Sequence, residues 1–446
     1  MKTIFITSFH PLISRNILST KFLDLVGQGN RVILFVPDFK RDYFVKEFSG
    51  PNVIIEGVSM VLTMRDLIFR KCALVLVPAR DITIKRRAQF YQDKKVFPFV
   101  VFRLAQRLFS RSASALKLVR FLDRIIPSAP TFHDFFRVYR PDVVLSTDVQ
   151  NELDVRMLHV ARARKVMAIG MVRSWDNLTS KGAVRIVPDT LVVHNETIKD
   201  EAVRYDYVPP HIVSVIGIPH YDSYAVPPQR SRNAFFSAFG FDTTKKLLVY
   251  APIGDRYIRN NGTDALILET LSKLDVNILV RLPPTDSVSL DGFASRGARV
   301  AFNTTGHGFS RGGRKTNEVG REDDERLKEA LSFCDVVVTG QSTVSIDAAA
   351  FDKPVVVAAF DHEPRVYWDS VTRYYDYEYY RKFRERSGIR MALSPEDLLT
   401  SVERYLKNPM LDTAVRERIV RDQVFLLDGK ATERLANIVL ASLYEH

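Results

Sequence analysis

The sequence predicts an α/β protein made of two doubly wound domains. Its apolar runs are short, β-branched and continuous rather than alternating, as strands of a parallel sheet covered on both faces are. Stretches of helical periodicity separate them. The rhythm breaks once, at Ala225-Val226-Pro227-Pro228-Gln229-Arg230, and then starts afresh. A chain of 446 residues is long enough for two domains of ordinary size, each with its own core.

In the first half, strands are expected at residues 2–7, 31–36, 52–56, 142–147, 166–172, 190–194 and 212–216, with helices at 15–26, 152–164 and 197–206. The start, M-K-T-I-F-I-T-S-F-H-P, reads as the first strand, because it lacks the sustained apolar region and small-residue cleavage site of a signal peptide. Residues 1–226 make the first domain, with a basic amphipathic insertion near 80–126. A helix at 231–238 opens the second half. Strands follow near 246–251, 277–282, 298–302, 335–339 and 354–359, and helices near 263–273, 323–333, 343–351, 395–406, 411–426 and 431–443. Residues 230–410 make the second domain and 411–446 a set of closing helices.

Hydrophobic residues make up 46% of the chain and charged residues 26%, which suits a globular protein and argues against long disorder. No run of about 18 apolar residues occurs, so no transmembrane helix is expected. Cys72 and Cys334 cannot supply a disulfide framework or a cysteine-rich metal site, which makes a reducing cytoplasm the simplest compartment. Basic residues number 64 and acidic residues 52, for a net charge of +12, and the excess collects in the 80–126 insertion. There Lys85, Arg86, Lys94, Lys95, Arg103, Arg107 and Arg111 alternate with Phe90, Phe97, Phe99, Leu104 and Leu108. A helix through residues 100–126 would be cationic and amphipathic. It suits an anionic membrane surface, the inner face of the cell membrane, where each charge contributes roughly 1 kcal/mol. It equally suits a surface helix that turns Leu, Val and Phe to the core and Arg to solvent. No helix-turn-helix, zinc or aromatic RNA-binding pattern accompanies the charge, which argues against a nucleic-acid partner.

Ligands of open α/β sheets bind outside the carboxyl ends of the strands, so loops there are the candidates for chemistry. The most informative is V-T-G-Q-S-T-V-S-I-D-A-A-A-F-D-K-P, residues 338–354. Gly340 permits a sharp turn, and Ser342 and Thr343 stand where a helix cap is expected. Free N–H groups at a helix start, backed by roughly half a positive charge, suit a diphosphate, although Ser342 can equally serve as a plain cap. Arg256 and Arg281 end the first two strands of the second domain and are candidate diphosphate ligands or partners of a loop carboxylate. Asp361, His362 and Glu363 follow another strand and suit donor hydroxyls; their spacing is not that of a zinc helix, and no metal site is expected.

In the first domain, His10 on the first loop is a candidate general base or a hydrogen-bonding bystander. Asp148 suits orientation of a base, binding of acceptor hydroxyls, or capping of the helix near Glu152. The densest stretch is M-V-R-S-W-D-N-L-T-S-K-G, residues 171–182. Trp175, Asp176, Asn177 and Lys181 crowd a loop there, and the Asp176 carboxylate is suited to removing a proton from a hydroxyl nucleophile. His220 and Asp222 border the interdomain hinge, where they touch ligand or fix the hinge. G-x-G-x-x-G, G-x-x-x-x-G-K-[ST] and G-x-S-x-G are absent, which weakens dehydrogenase, P-loop and hydrolase readings.

Taken in order, G-Q-S-T-V-S-I-D-A-A-A-F-D-K-P-V, Tyr374-Tyr375-Asp376-Tyr377-Glu378, S-P-E-D-L-L-T-S-V-E-R-Y-L and D-G-K-A-T-E-R-L span most of residues 325–440. In that order they resemble the nucleotide-binding half of GT-B glycosyltransferases, and more narrowly the bacterial CDP-glycerol glycerophosphotransferases that build teichoic-acid-type polymers. The resemblance implies two Rossmann-like domains facing a central cleft, donor phosphate on Ser342 and Thr343, and closing helices that cross back onto the first domain. Two departures stand out. Where that group carries W-H-G-T-P-x-K, this chain has W-D-N-L-T-S-K, keeping Trp175 and Lys181 but offering Asp176. Where the group carries R-x-H-P, Arg281 is followed by Leu282-Pro283-Pro284.

With both imidazoles replaced, the expectation is a metal-independent, inverting sugar transferase with a carboxylate base and no cofactor beyond its co-substrate, a nucleotide-diphosphate sugar. Its acceptor would be a cell-surface polysaccharide or a lipid-linked glycan. Two other readings stay open: a CDP-glycerol-type glycerophosphotransferase with an altered base, and a non-hydrolysing UDP-sugar 2-epimerase.

Overall fold

The computed structural model describes residues 1–446 except Ala79, Tyr257, Ile258, Arg259, Gly312, Glu445 and His446. The chain divides into two compact units, one of residues 1–86, 94–223 and 428–446, the other of residues 87–93 and 224–427.

The first unit is built on seven parallel strands: β1 (Thr3–Thr7), β2 (Arg31–Pro37), β3 (Val53–Val58), β4 (Val143–Ser146), β5 (Met167–Met171), β6 (Thr190–Val193) and β7 (Val213–Val215). They lie in the order β3-β2-β1-β4-β5-β6-β7, so the winding reverses between β1 and β4. β1 is buried along its whole length, with Ile4 and Ile6 in one core and Phe5 in the other. Burial on both faces is what the unbroken apolar run T-I-F-I-T requires. The last helix, Ala431–Ala441, joins this unit, with Leu435, Ala436 and Val439 in the same core as Phe22 and Val26. Asp222 fixes its start, accepting from the N–H groups of Ala431 (2.9 Å) and Thr432 (2.7 Å). Arg434 binds the Ile216 carbonyl at 2.7 Å and Asp428 at 2.8 Å. The D-G-K-A-T-E-R-L segment is thus a docking element, and Asp222 is committed to capping it.

The expected single helix over 100–126 is two helices, Val96–Phe109 and Ala113–Ile125. Ser112 adopts extended backbone and its hydroxyl accepts from the Ala115 N–H at 3.1 Å, so a new helix starts where periodicity alone predicted continuity. Two further helices precede them, Met64–Leu76 and Arg80–Asp93. The former begins on a reciprocal cap in which Thr63 and Asp66 satisfy each other's N–H groups.

The second unit repeats the plan with β8 (Leu247–Ala251), β9 (Asn277–Arg281), β10 (Arg299–Asn303), β11 (Val336–Thr339), β12 (Val355–Ala358) and β13 (Arg390–Ala392). The order is β10-β9-β8-β11-β12-β13, all pairings parallel, with the reversal between β8 and β11. β13 is only three residues long, too short for a periodicity signal. The helix expected over 411–426 is Thr413–Ile419 followed by a wider turn, Val420–Val424, and it packs in this unit on the helices Val344–Ala350 and Glu378–Ser387.

Gly340 closes the turn after β11 against the loop after β8. A Cβ at this position would lie 2.5 Å from Ile253 Cγ1. Gly340→Ala should therefore lower unfolding stability by about 1–3 kcal/mol, the usual cost of overpacking. Urea unfolding of the single variants and of the pair with Ile253→Ala checks this, because removing Cγ1 should recover most of the loss.

Candidate functional site

The carboxyl ends of β1 and β4 flank the reversal of the first sheet, where ligand loops gather in such folds. The two ends are fastened beyond the ladder: Thr147 donates its N–H to Thr7 Oγ1 (2.9 Å) and its hydroxyl to the Thr7 carbonyl (2.8 Å). Asp148 follows. Its Oδ2 accepts from Arg173 Nε at 2.8 Å, and its Oδ1 accepts from Asn177 Nδ2 at 3.2 Å and from the Gln150 N–H at 3.2 Å. Asp148, Arg173 and Asn177 are all buried, so the three form a closed polar ring under the 171–182 loop. The helix Glu152–Ala163 is capped by Asn151 rather than Asp148. Asp148 is thus a positioning residue, and the Asn177 amide is largely spent on it.

Asp176 sits on top of this ring. It stands at the start of the short helix Asn177–Ser180, yet its carboxylate makes no capping bond. Oδ2 instead meets Lys181 Nζ at 3.1 Å and accepts from the Ser180 hydroxyl at 3.1 Å. Burial pushes its pKa up, but Lys181 and Arg173 outweigh burial and bring it down to about 2, so Asp176 is an anion across the physiological range. Trp175 packs partly buried on the first core.

His10 lies within electrostatic reach of Arg173, Lys181 and Asp176. Burial, then the two cations, hold its pKa well below the ordinary value, so the ring is neutral. Its Nδ1 accepts from the Leu12 N–H at 3.2 Å, which places the remaining proton on Nε2. In that tautomer His10 offers a donor rather than a base. Lys85, from the helix Arg80–Asp93, is a residue the sequence reading did not single out. Crowding by protein, then by Lys181 and Arg86, lowers its ammonium below the ordinary value, although the residue keeps exposed surface. Its signal was hidden in a charge run read as a solvent or membrane face. His220 is buried with its ring edge-on to Tyr221 at 4.4 Å, and the buried His194 at the end of β6 is pushed down to about 3, first by burial and then by His220 and Arg173.

In the second unit, the Gly340–Thr343 turn lies at the reversal between β11 and β8. Ser342 Oγ accepts from the N–H of Val344, the first residue of the helix Val344–Ala350, at 3.2 Å, while the N-cap residue Thr343 makes no side-chain capping bond. The N–H groups of Ser342 and Thr343 and the Thr343 hydroxyl have no partner among the described residues, and Thr343 is exposed. The two arginines are engaged elsewhere. Arg281 donates to Asn303 Oδ1 at 2.5 Å and to the Asp323 carbonyl at 2.8 Å, and Arg256 donates to the Thr285 carbonyl at 2.7 Å. Asp361 is structural too, accepting from Ser370 Oγ (2.5 Å) and from the Val371 N–H (3.0 Å). His362 lies against Thr263, whose hydroxyl accepts from the His362 N–H at 3.2 Å, and Glu363 pairs with Arg365 at 2.8 Å. Among the described residues no group of three or more His, Cys, Asp or Glu is placed to hold a metal ion.

Two sheets of one doubly wound order, each with a polar turn at its reversal, match the two Rossmann-like sheets of the GT-B fold. The sequence model of the CDP-glycerol:poly(glycerophosphate) glycerophosphotransferases matches residues 188–441, more than half of the chain, and the chain belongs to that family. No curated protein matches it by sequence. Among solved structures, a Listeria monocytogenes protein assigned as a UDP-N-acetylglucosamine 2-epimerase is similar at TM-score 0.58 and 11% identity, over 100% of this chain and 98% of that one. The UDP-GlcNAc 2-epimerase of Neisseria meningitidis, bound to UDP-GlcNAc, gives TM-score 0.54 and 10% identity over 99% and 100%. A glycosyltransferase of Rickettsia africae gives 0.50 and 9% over 100% and 99%. At these identities the likeness is one of fold.

A second carboxyl below the ring has the opposite electrostatics. Asp154 accepts from the Thr7 hydroxyl, from Ser146 Oγ (3.1 Å) and from the Asp148 N–H (3.3 Å), all on one oxygen, while its other oxygen is buried without a partner. Burial, then the Asp148 carboxylate, push it up to about 7 from an ordinary 3.8. A carboxyl raised in the folded state stabilises most when protonated, and that contribution is lost as pH rises from about 4 through about 7. Asp154→Asn should therefore gain on the wild type between pH 5 and pH 8, by on the order of 2 kcal/mol. Chemical denaturation at the two pH values measures it, and a pH-independent difference would refute protonation of Asp154.

Proposed function

We propose that the protein transfers a sugar from a nucleotide-diphosphate donor to a cell-surface polysaccharide or a lipid-linked glycan. The observation that supports this reading is the ionised Asp176 in the loop after β5, paired with Lys181 at 3.1 Å and within electrostatic reach of Arg173, His10 and Lys85. A carboxylate there suits abstraction of an acceptor hydroxyl proton as that oxygen attacks the anomeric carbon. Its low pKa makes it a weak base while Lys181 is bound, so an anionic group on the acceptor that draws Lys181 away would strengthen it. His10 Nε2–H serves as a donor to an acceptor oxygen. Donor phosphate is assigned to the Ser342 and Thr343 N–H groups and the Thr343 hydroxyl, with Arg256 and Arg281 left as loop fasteners. The transfer is metal-independent and inverting in this reading, and the place of work is the inner face of a bacterial cell membrane.

Family membership favours a second reading, transfer of a phosphoalcohol from a CDP-linked donor. The leaving group separates the two. Sugar transfer releases a nucleoside diphosphate, phosphoalcohol transfer releases a nucleoside monophosphate, and isomerisation of a UDP-sugar without acceptor would mark a 2-epimerase and overturn both.

Thermal-shift screening against nucleotide diphosphates and CMP-linked ligands identifies the donor first, since a specific ligand stabilises by mass action. With that donor, Asp176→Asn should lower kcat by roughly 10²–10⁴-fold while donor binding persists. Ser342→Ala with Thr343→Ala should act mainly on the donor KM. A base near pKa 2 predicts no acidic loss of rate between pH 7 and pH 5, whereas a bell falling near pH 6 would point to an imidazole instead. Turnover unchanged by a chelator checks metal independence.

A further inference from the structure

The helices Val96–Phe109 and Ala113–Ile125 each turn an apolar face outward, beyond the small apolar contact that Leu116, Phe102 and Val119 make inside. On the first, Phe97, Val100, Val101, Leu104 and Leu108 recur at i, i+3, i+4, i+7 and i+11, and all are exposed, Phe97 to 79%. The opposite face holds Gln106, which is buried and accepts from Arg103 Nη1 (2.8 Å) and Thr83 Oγ1 (3.0 Å). On the second, Leu118, Phe121 and Ile125 face outward, exposed to 56%, 52% and 54%. Its inner side carries Asp123, fully buried and 2.7 Å from Arg65 Nη2, and Arg120, bound to the carbonyls of Val184 (2.7 Å) and Asp206 (2.8 Å). These polar anchors, with the apolar contact at Leu116, hold both helices on the first unit and leave the apolar faces of residues 97–108 and 118–125 outward.

The charges around these faces identify what covers them. Between Lys94 and Ile126 eight residues are basic and only Asp123 is acidic, and that acid is spent inside. Lys94, Lys95, Arg107, Arg111, Lys117 and Arg124 are exposed beside the apolar stripes. A second copy of the chain would bring cation against cation. An anionic bilayer satisfies both features, taking apolar side chains below the headgroups and cations at their level. No helix of the described residues is long and apolar enough to cross a membrane, so the contact is one of lying on the surface.

We propose that the paired outer faces of these two helices dock the protein onto an anionic lipid bilayer, with Phe97, Leu104, Leu108 and Phe121 entering the interface. This deepens the proposed membrane location and is independent of which donor is used. It also gives the helix Arg80–Asp93 a position between the lipid-facing pair and the Asp176 loop, since Arg86 lies over Phe102 at 4.7 Å and Lys85 within electrostatic reach of Asp176.

Co-sedimentation of the full chain with phosphatidylcholine vesicles, with and without about one-third phosphatidylglycerol, tests the proposal. The wild type should sediment with the anionic vesicles only, and less so when salt is raised to about 0.5 M. The triple variant Phe97→Asn, Leu104→Asn, Leu108→Asn should bind at least about tenfold more weakly. Lys94→Gln with Lys95→Gln and Arg111→Gln should bind more weakly and lose the salt dependence. An unchanged circular dichroism spectrum and thermal midpoint show that the variants fold, and neither readout requires turnover. The proposal is overturned if the wild type stays in the supernatant, if it binds neutral vesicles equally well, or if it is a dimer in sedimentation velocity that the apolar variant dissolves.

Discussion

A parallel sheet leaves backbone N–H groups without ladder partners where its strands end, and in this protein buried carboxylates meet that need at both reversals. In the second unit Asp264, from the helix after β8, accepts from the Ile253 N–H (2.8 Å), the Gly254 N–H (3.0 Å), the Tyr250 hydroxyl (2.6 Å) and Asn261 (2.7 Å). In the first, Asp154 accepts from the Asp148 N–H (3.3 Å) and Asp148 from the Gln150 N–H (3.2 Å). Unmet polar groups in such places cost about 1–3 kcal/mol each, so these side chains determine where the neighbouring loops can go. The turn at Gly340 and the loop at 171–182 are held in place by groups that are themselves unable to react.

That division explains why the reactive candidates are so few. Arg173 is paired with Asp148, Arg281 is held by Asn303 and the Asp323 carbonyl, and Asp361 by Ser370 and the Val371 N–H. Asp176 differs. One of its oxygens meets Lys181 and Ser180, it caps no helix, and it keeps partial exposure. Removing the cations would raise its pKa, and removing the carboxylate would leave the Lys181 ammonium without its 3.1 Å partner.

The parallel, doubly wound plan of both sheets is legible in the sequence because the central strands are continuous apolar runs, whereas the three-residue β13 is not. The site was legible by place more than by role. Asp176 and Ser342 stand out as candidates because W-D-N-L-T-S-K and T-G-Q-S-T follow strands directly. Arg256 and Arg281 were assigned to phosphate on the same logic, but their partners are carbonyls that no sequence pattern advertises. Asp264 and Asp154 went unnoticed because a buried carboxylate inside a helix looks, in sequence, like any solvent-facing acid. His10 was legible as a loop histidine, whereas its tautomer depends on one backbone N–H two residues on.

The helices Val96–Phe109 and Ala113–Ile125 illustrate the same limit from the other side. Periodicity in residues 96–125 reports amphipathicity but carries no sign, since a helix with its apolar face outward has the same moment as one with that face inward. The inner side here combines a small apolar contact at Leu116 with partners for the polar groups. Asp123 finds Arg65 at 2.7 Å and His159 at 3.5 Å, Arg120 finds two carbonyls, and Gln106 finds Thr83 and Arg103. Buried ion pairs of this kind are poor stabilisers compared with apolar packing, because desolvation cancels much of their attraction. A chain that places them inside, while leaving phenylalanine and leucine in contact with water, is arranged for a surrounding other than water on that side.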